Sequence, residues 1–323
     1  MRILIVHSDV PADAPADEQD TLLQAAAVEA ALKRRKHDVS RAVFSPEPAE
    51  VETLLSREEP DLVFNLVESV WGRGLFAPLA PAMFANLGVP FTGVHAAAMT
   101  ACNDKVLTKR ILGSAKLPTP VWSEAPHWRG IGKERWIVKS VSEDASFGLD
   151  DGAVVTGREA VAGRAQASAA RYGGRWFAEH YVEGREFNVA AIEHDGEPYV
   201  LPIGEMVFAQ WDDRKPRIVG YAAKWHGATL EYRATTRMFG WHEREPGLRK
   251  QLEQLTHDCW DLFGLTGYAR VDFRVDSRNR PFILEVNPNP CLEPDAGVAA
   301  ACAQAGLSYD QLIEDIVRAA LRA

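Results

Sequence analysis

The sequence has no CxxC pair and no cysteine–histidine spacing of the zinc type, although it contains Cys102, Cys259, Cys291 and Cys302. Such thiols are expected to be reduced and mostly packed in a cytosolic protein. No apolar run approaches the roughly 20 residues a membrane span needs. The N-terminal MRILIVHSD lacks the length and cleavage pattern of a signal peptide. Cytoplasmic residence, with no membrane partner, is the expectation. Positive charge is in deficit: 36 Lys+Arg against 45 Asp+Glu gives a net charge of −9. The one basic cluster, KRRK at 33–36, ends a predicted helix, where cations complement the helix dipole. No nucleic-acid partner is expected. The first strand is not followed by GxGxxG, so the dinucleotide fingerprint is missing. There is also no internal repeat, low-complexity tract or long linker.

What is present is an α/β pattern over 323 residues, enough for two or three domains. Residues 1–95 alternate strands and helices: RILIV, an alanine-rich helix ending in KRRK, DLVFNLV, and the helix FAPLAPAMFANLGV. Continuously apolar strands imply a parallel sheet covered on both faces. Residues 96–185 read as a helix over CNDKVLTKRILGSA, a strand RWIVKS, a polar loop at 141–149, a helix REAVAGRAQASAARY and a strand WFAEHYV. Residues 186–323 hold the strands EFNVAAIE and EPYVLPIGEMVF, a helix from Gly247, a hairpin and a terminal helix.

The hairpin, YARVDFRVDSRNRPFILEVNPNP at 268–290, carries the most information. With a loop at Ser277–Arg280, Asp276 faces Pro281, Asp272 faces Glu285 and Arg270 faces Asn287. One face then holds Arg270, Asp272, Arg274, Ile283, Glu285 and Asn287; the other holds Val271, Phe273, Val275, Phe282, Leu284 and Val286. Cross-strand partners share a face about 5 Å apart. Two carboxylates at that distance repel by roughly 3 kcal/mol at an effective dielectric near 20. Either Arg270 or Arg274 offsets this as an ion pair, or a divalent cation does, for which two carboxylates and an amide are suitable hard ligands.

ARVDF, LEVNPNP and AGLSYDQLI together resemble the C-terminal part of ATP-grasp enzymes, most closely the D-alanine–D-alanine ligases and their relatives. The resemblance implies an ATP-grasp fold with an N-terminal parallel-sheet (pre-ATP-grasp) domain at 1–95, a central subdomain at 96–185 and a C-terminal subdomain at 186–323. It makes Asp272, Glu285 and Asn287 ligands of two Mg²⁺ ions, with Mn²⁺ as the alternative, bridging the phosphates of ATP. NDKVLTKRIL and WIVKS supply the phosphate-directed Lys105 and Lys139, and YAAKW supplies Lys224 toward the γ-phosphate. FAEHYVEGREFNV is similar to the adenine hinge. Glu179, His180, Tyr181 and Val182 would meet adenine largely through backbone, and Glu186 the ribose hydroxyls. Arg270 would stabilise the tetrahedral intermediate, and Ser146 belongs to a loop closing over the phosphates.

The reaction so implied joins a small-molecule carboxylate and an amine through an acylphosphate, in an enzyme for which a homodimer is the assembly common to the family. Other readings are an ATP-grasp nucleotide-binding protein without ligase chemistry and an ATP-grasp carboxylase. The substrate positions depart from the family. Glu68 stands near an expected histidine, Ala145 at the first lid serine, Trp225 at a tyrosine, Cys291 at a glycine and Ala296 at a serine. Glu293 and Asp295 beside the strand exit would repel an acceptor carboxylate, so an acceptor other than D-alanine is expected. Lys109, on the helix next to Lys105, is expected to be dispensable.

Overall fold

The structure, a computed structural model, describes residues 1–212 and 214–322. Strands β1 (Arg2–His7), β2 (Asp38–Val43) and β3 (Leu62–Leu66) form a parallel sheet in the order β2-β1-β3. β2 escapes a sequence reading because it is an edge strand. Its half-exposed residues form no continuous apolar run. The helix Ala16–Arg34 covers one face, packing Val28 and Leu32 on Ile3, Ile5 and Phe64. The chain's last helix, Tyr309–Ala320, joins the same core through Leu312, Ile313 and Ile316. It begins at a capping box, in which the Ser308 hydroxyl and Gln311 side chain each satisfy the other's backbone N–H.

The central sheet comprises β4 (Trp122–Glu124), β5 (Arg135–Ser140), β6 (Val154–Thr156) and β7 (Trp176–His180), antiparallel in the order β4-β7-β5-β6. The third sheet holds β8 (Gly184–His194), β9 (Glu197–Val200), β10 (Gly204–Phe208), β11 (Thr235–Met238), β12 (Tyr268–Asp276) and β13 (Pro281–Pro288). Its order is β11-β10-β8-β12-β13, with β9 paired to β8. Among the described residues no helix is long and apolar enough to cross a membrane.

Two local features place the site. The helix expected over CNDKVLTKRILGSA is two helices, Ala96–Asn103 and Lys105–Ser114. Asp104 leaves helical geometry between them, and its carboxylate accepts the Leu107 N–H at 2.8 Å. The second helix therefore starts at Lys105, with Lys109 one turn on. Both lysines are buried.

The hairpin pairs Asp272 with Glu285 and Arg270 with Asn287, as the alternation predicts. A bulge after Asp272 then shifts the register, so that Phe273 faces Ile283 and Val275, not Asp276, faces Pro281. The extra residue is Leu284. It moves Ile283 to the apolar face, where it is fully buried beside Phe273 and Val275, and turns Leu284 toward the cavity. The expected face assignment thus holds for Asp272, Glu285 and Asn287 but reverses for Phe282, Ile283 and Leu284.

Candidate active site

A cavity of about 1090 Å³ opens between the three sheets. On its floor the Arg270 guanidinium grips Asp272 through two bonds, 2.8 and 2.9 Å, and Asn188 donates to the same carboxylate at 2.7 Å. The Asn287 amide reaches Asp272 at 3.2 Å and Glu285 at 3.4 Å. Of the two candidate arginines, Arg274 turns away. It donates to the Val182 carbonyl at 3.1 Å and the Tyr181 hydroxyl at 3.0 Å.

A divalent cation fits the Asp272, Glu285 and Asn287 set. All three offer hard oxygens once the Asn287 amide turns over. Among the described residues Glu285 has no cation closer than Lys105, at 3.9 Å. Burial would raise the Glu285 pKa, but Lys105, Lys139, Arg270 and Lys224 around it lower it to about 2. The carboxylate is therefore ionised and open to a ligand.

The cations are arranged in depth. Lys105 donates to the Asp144 carboxylate at 2.6 Å and the Glu143 carbonyl at 3.0 Å. Lys139, one residue before the end of β5, pairs with Glu179 at 2.7 Å. Lys224 faces the cavity from the short helix Tyr221–Trp225; the loss of bulk water there, then Arg270, lowers its pKa.

Two sequence expectations need correction here. Glu179 was expected to meet adenine through its backbone. It lies within β7, paired on both sides, and its buried carboxylate holds Lys109 as well as Lys139. Burial would raise the Glu179 pKa, yet the two lysines lower it. Lys109 is consequently a buried ion-pair partner and not a free surface lysine. It is fully buried and also donates to the Thr119 hydroxyl at 3.0 Å. No sequence signal separates it from a surface helix lysine except its spacing of four from Lys105.

The hinge is narrower than expected. The His180 N–H donates to the Val121 carbonyl and the Tyr181 N–H to the Arg135 carbonyl, leaving Val182 N–H without a protein partner among the described residues. Beside it, Ile137, Ala153, Tyr181 and Ile218 pack as an apolar cluster, of which Ile137, Tyr181 and Ile218 line the cavity. Glu186 faces Arg274 across β8 and β12, with 3.4 Å between their charged groups.

The 141–149 loop lines the cavity and is docked on both sides. Ala145 and Ser146 are both left-handed, at φ 55° and 62°. The Ser146 hydroxyl donates to the Val219 carbonyl at 2.6 Å, and the Trp225 indole N–H donates to the Ala145 carbonyl at 3.1 Å. On the other side Glu143 accepts the Gly74 N–H at 3.2 Å.

Opposite the lysines lies an acidic wall. Gln24, which the sequence reading missed, donates to Glu68 at 2.7 Å and accepts the Leu292 N–H at 2.6 Å, tying the first helix to the exit of β13. The Cys291 thiol donates to Asp20 at 3.2 Å. Burial, then Asp20, raises Glu293 to about 8. Burial also raises Glu68, to about 7, against the opposing Gln24 bond. A carboxyl whose pKa rises on folding binds more protons in the native state, so its contribution to stability falls as pH climbs from about 4.5 to about 7. Glu68→Gln should remove that component. Melting curves of the variant should flatten over this window relative to wild type; parallel curves would contradict the assignment.

Also missed was Arg237, on β11 opposite Met206. It stands near Asp295, so the like-charge expectation drawn from Glu293 and Asp295 omitted a cation.

Comparison with known proteins agrees with this geometry. The family described as D-ala D-ala ligase C-terminus matches residues 135–318, more than half of the chain. The D-alanine–D-alanine ligase of Albidiferax ferrireducens is 31% identical over 240 residues, 72% of this chain and 64% of that protein. That of Moorella thermoacetica is 28% identical over 95% of this chain and 96% of its own length. The crystal structure of the Bacillus anthracis D-alanine–D-alanine ligase complexed with ATP superposes with a TM-score of 0.76 over 100% of this chain and 98% of that one, at 19% identity. A half-chain family match and a shared ATP-grasp fold identify this chain as a member of the D-alanine–D-alanine ligase family of ATP-grasp ligases.

Proposed function

We propose that the chain is an ADP-forming ligase that activates a carboxylate with ATP and joins it to an amine, on a substrate pair other than two D-alanines. The observation that carries this reading is the convergence of Lys105, Lys139, Lys224 and Arg270 with Asp272, Glu285 and Asn287 on one cavity. Val182, whose N–H is free to donate, would meet adenine, and Glu186 would meet the ribose hydroxyls. The lysines hold the phosphates. Asp272, Glu285 and Asn287 would hold Mg²⁺, two ions by the family pattern, which would supply positive charge against the phosphates.

A substrate carboxylate oxygen attacks the γ-phosphorus and ADP leaves. The neutral amine then attacks the acyl carbon, the oxyanion is met by Arg270, and phosphate departs as the amide forms. The docked lid keeps water from the acylphosphate. The altered positions, Glu68, Ala145, Trp225, Cys291 and Ala296, line the same cavity in which the lysines, Arg270 and the hairpin acids are all kept, which favours a changed substrate over a lost activity.

The test is an ADP-release screen over pairs of carboxylates and amines, with D-alanine alone included. Amide formation with another pair, above the D-alanine rate, is the expected result. ATP binding with no ADP from any pair would overturn the ligase reading, and D-alanine as the best pair would overturn the changed substrate. Trp225→Phe removes the indole bond to the lid. It should leave ATP affinity within about threefold while ADP release outruns amide formation, as the acylphosphate meets water. A ratio of one, measured by parallel ADP and product assays, would show that this bond does not hold the lid.

A further inference from the structure

A lysine ammonium has three protons to give. Lys105 gives one to the Asp144 carboxylate at 2.6 Å and one to the Glu143 carbonyl at 3.0 Å, while Glu285 stands at 3.9 Å. Two of the three are thus taken by the 141–149 loop itself. The lysine is buried, whereas the Asp144 side chain is half exposed, and both line the cavity. Local geometry holds Asp144 in this position. Its carbonyl accepts the Phe147 N–H at 3.0 Å across Ala145 and Ser146, both left-handed. Residues other than glycine are uncommon in that region, and two in succession persist only where the surroundings hold them. The loop is held on both flanks, by Glu143 on the Gly74 N–H and by the Ser146 hydroxyl on the Val219 carbonyl. Gly74 admits the loop because it has no side chain; a β-carbon there would stand 2.9 Å from the Ser142 carbonyl oxygen. The pair with Lys105 is the fastening between these two. A phosphate and a carboxylate both accept from an ammonium, and as like charges they repel when brought to the same one.

We infer that Asp144 is a phosphate surrogate built into the lid: it competes with the phosphates of ATP for Lys105, so that nucleotide gains this lysine only as the carboxylate leaves, and the carboxylate returns as ADP departs. This rests on the nucleotide-binding part of the ligase reading above and deepens it. The consequence is an apparent ATP affinity lower than the lysines alone would give, because only the fraction of molecules with the pair broken is competent to bind. The same pair fastens the lid before nucleotide arrives, so that lid opening and the release of Lys105 are one event.

The experiment uses the full chain as wild type, Asp144→Asn, Asp144→Ala and Glu143→Gln. MgATP affinity is measured by calorimetry, and amide hydrogen exchange over residues 142–149 is followed without nucleotide and in MgATP. With the pair formed in about nine-tenths of the molecules, releasing Lys105 tightens MgATP binding about tenfold, and both Asp144 variants should show that gain. Without nucleotide their lids should exchange about tenfold faster than that of wild type, and MgATP should restore the protection. Glu143→Gln removes an equal charge one residue away, from a side chain that does not bond Lys105, and its gain in affinity should stay within about twofold. An equal gain in Glu143→Gln would mean a general charge effect. Unchanged or weaker MgATP binding in the Asp144 variants would mean that no competition exists, and unaltered lid exchange in them would mean that the pair fastens nothing. Each of these results overturns the inference. If wild type binds no MgATP, the ligase reading falls on that result, while the exchange comparison still decides whether Asp144 fastens the lid.

Discussion

Glu285→Gln is expected to reduce the enhancement of ATP affinity by Mg²⁺ about a hundredfold, at least the effect of weakening a metal site's outer partners. Glu285 is the better probe of the hairpin pair. Asp272 is held by Arg270, Asn188 and Asn287, so its neutralisation leaves a buried guanidinium unpaired. Glu285 has only a 3.9 Å contact to Lys105 and weak contact with Asn287. Its charge is available to a ligand. The measurement is calorimetric ATP affinity with and without Mg²⁺, taken as a ratio for each variant. The ratio cancels the general rise in positive potential that follows from losing one anion among four cations. If it stays at the wild-type value in a folded variant, the metal assignment is wrong.

The second large effect is expected at Lys109, far from any exposed surface. Lys109→Met leaves Glu179 with one lysine in place of two, in a site where both carboxylate and ammonium are fully enclosed. Removing one partner of a buried ion pair typically costs roughly 3–5 kcal/mol. Melting should therefore fall by several degrees or more. A loss of ATP affinity should accompany it, because Lys139 would then be drawn wholly to Glu179. The double variant Lys109→Met, Glu179→Gln should recover part of the stability, since it no longer strands a charge. Melting of the single variant at the wild-type temperature would mean that the buried cluster contributes nothing to the fold. No recovery in the double variant would mean that lost packing, not charge, is responsible.

Arg237 was illegible beforehand for a simple reason. TTRM is a four-residue edge strand with no apolar alternation, in a stretch rich in charged residues. Nothing local distinguishes its arginine from Arg233, which is exposed. Gln24 is similar. On the first helix it reads as a polar residue among alanines, and only the approach of Glu68 and Leu292 from distant parts of the chain gives it two partners.

The sequence by itself determined that Asp272, Glu285 and Asn287 share one face of the hairpin, the order of the lysine-bearing segments and the family. These depend on local alternation, strand ends and spacing, which a linear chain states directly. Only the tertiary structure decided which carboxylates are spoken for, because Asp272, Glu179 and Glu143 find partners up to 84 residues away. It also decided where the alternation breaks, at the Leu284 bulge, next to which the Ile283 N–H donates to the Pro118 carbonyl outside the hairpin. Alternation fixes sidedness only while the register holds, and long-range charge pairing has no period at all.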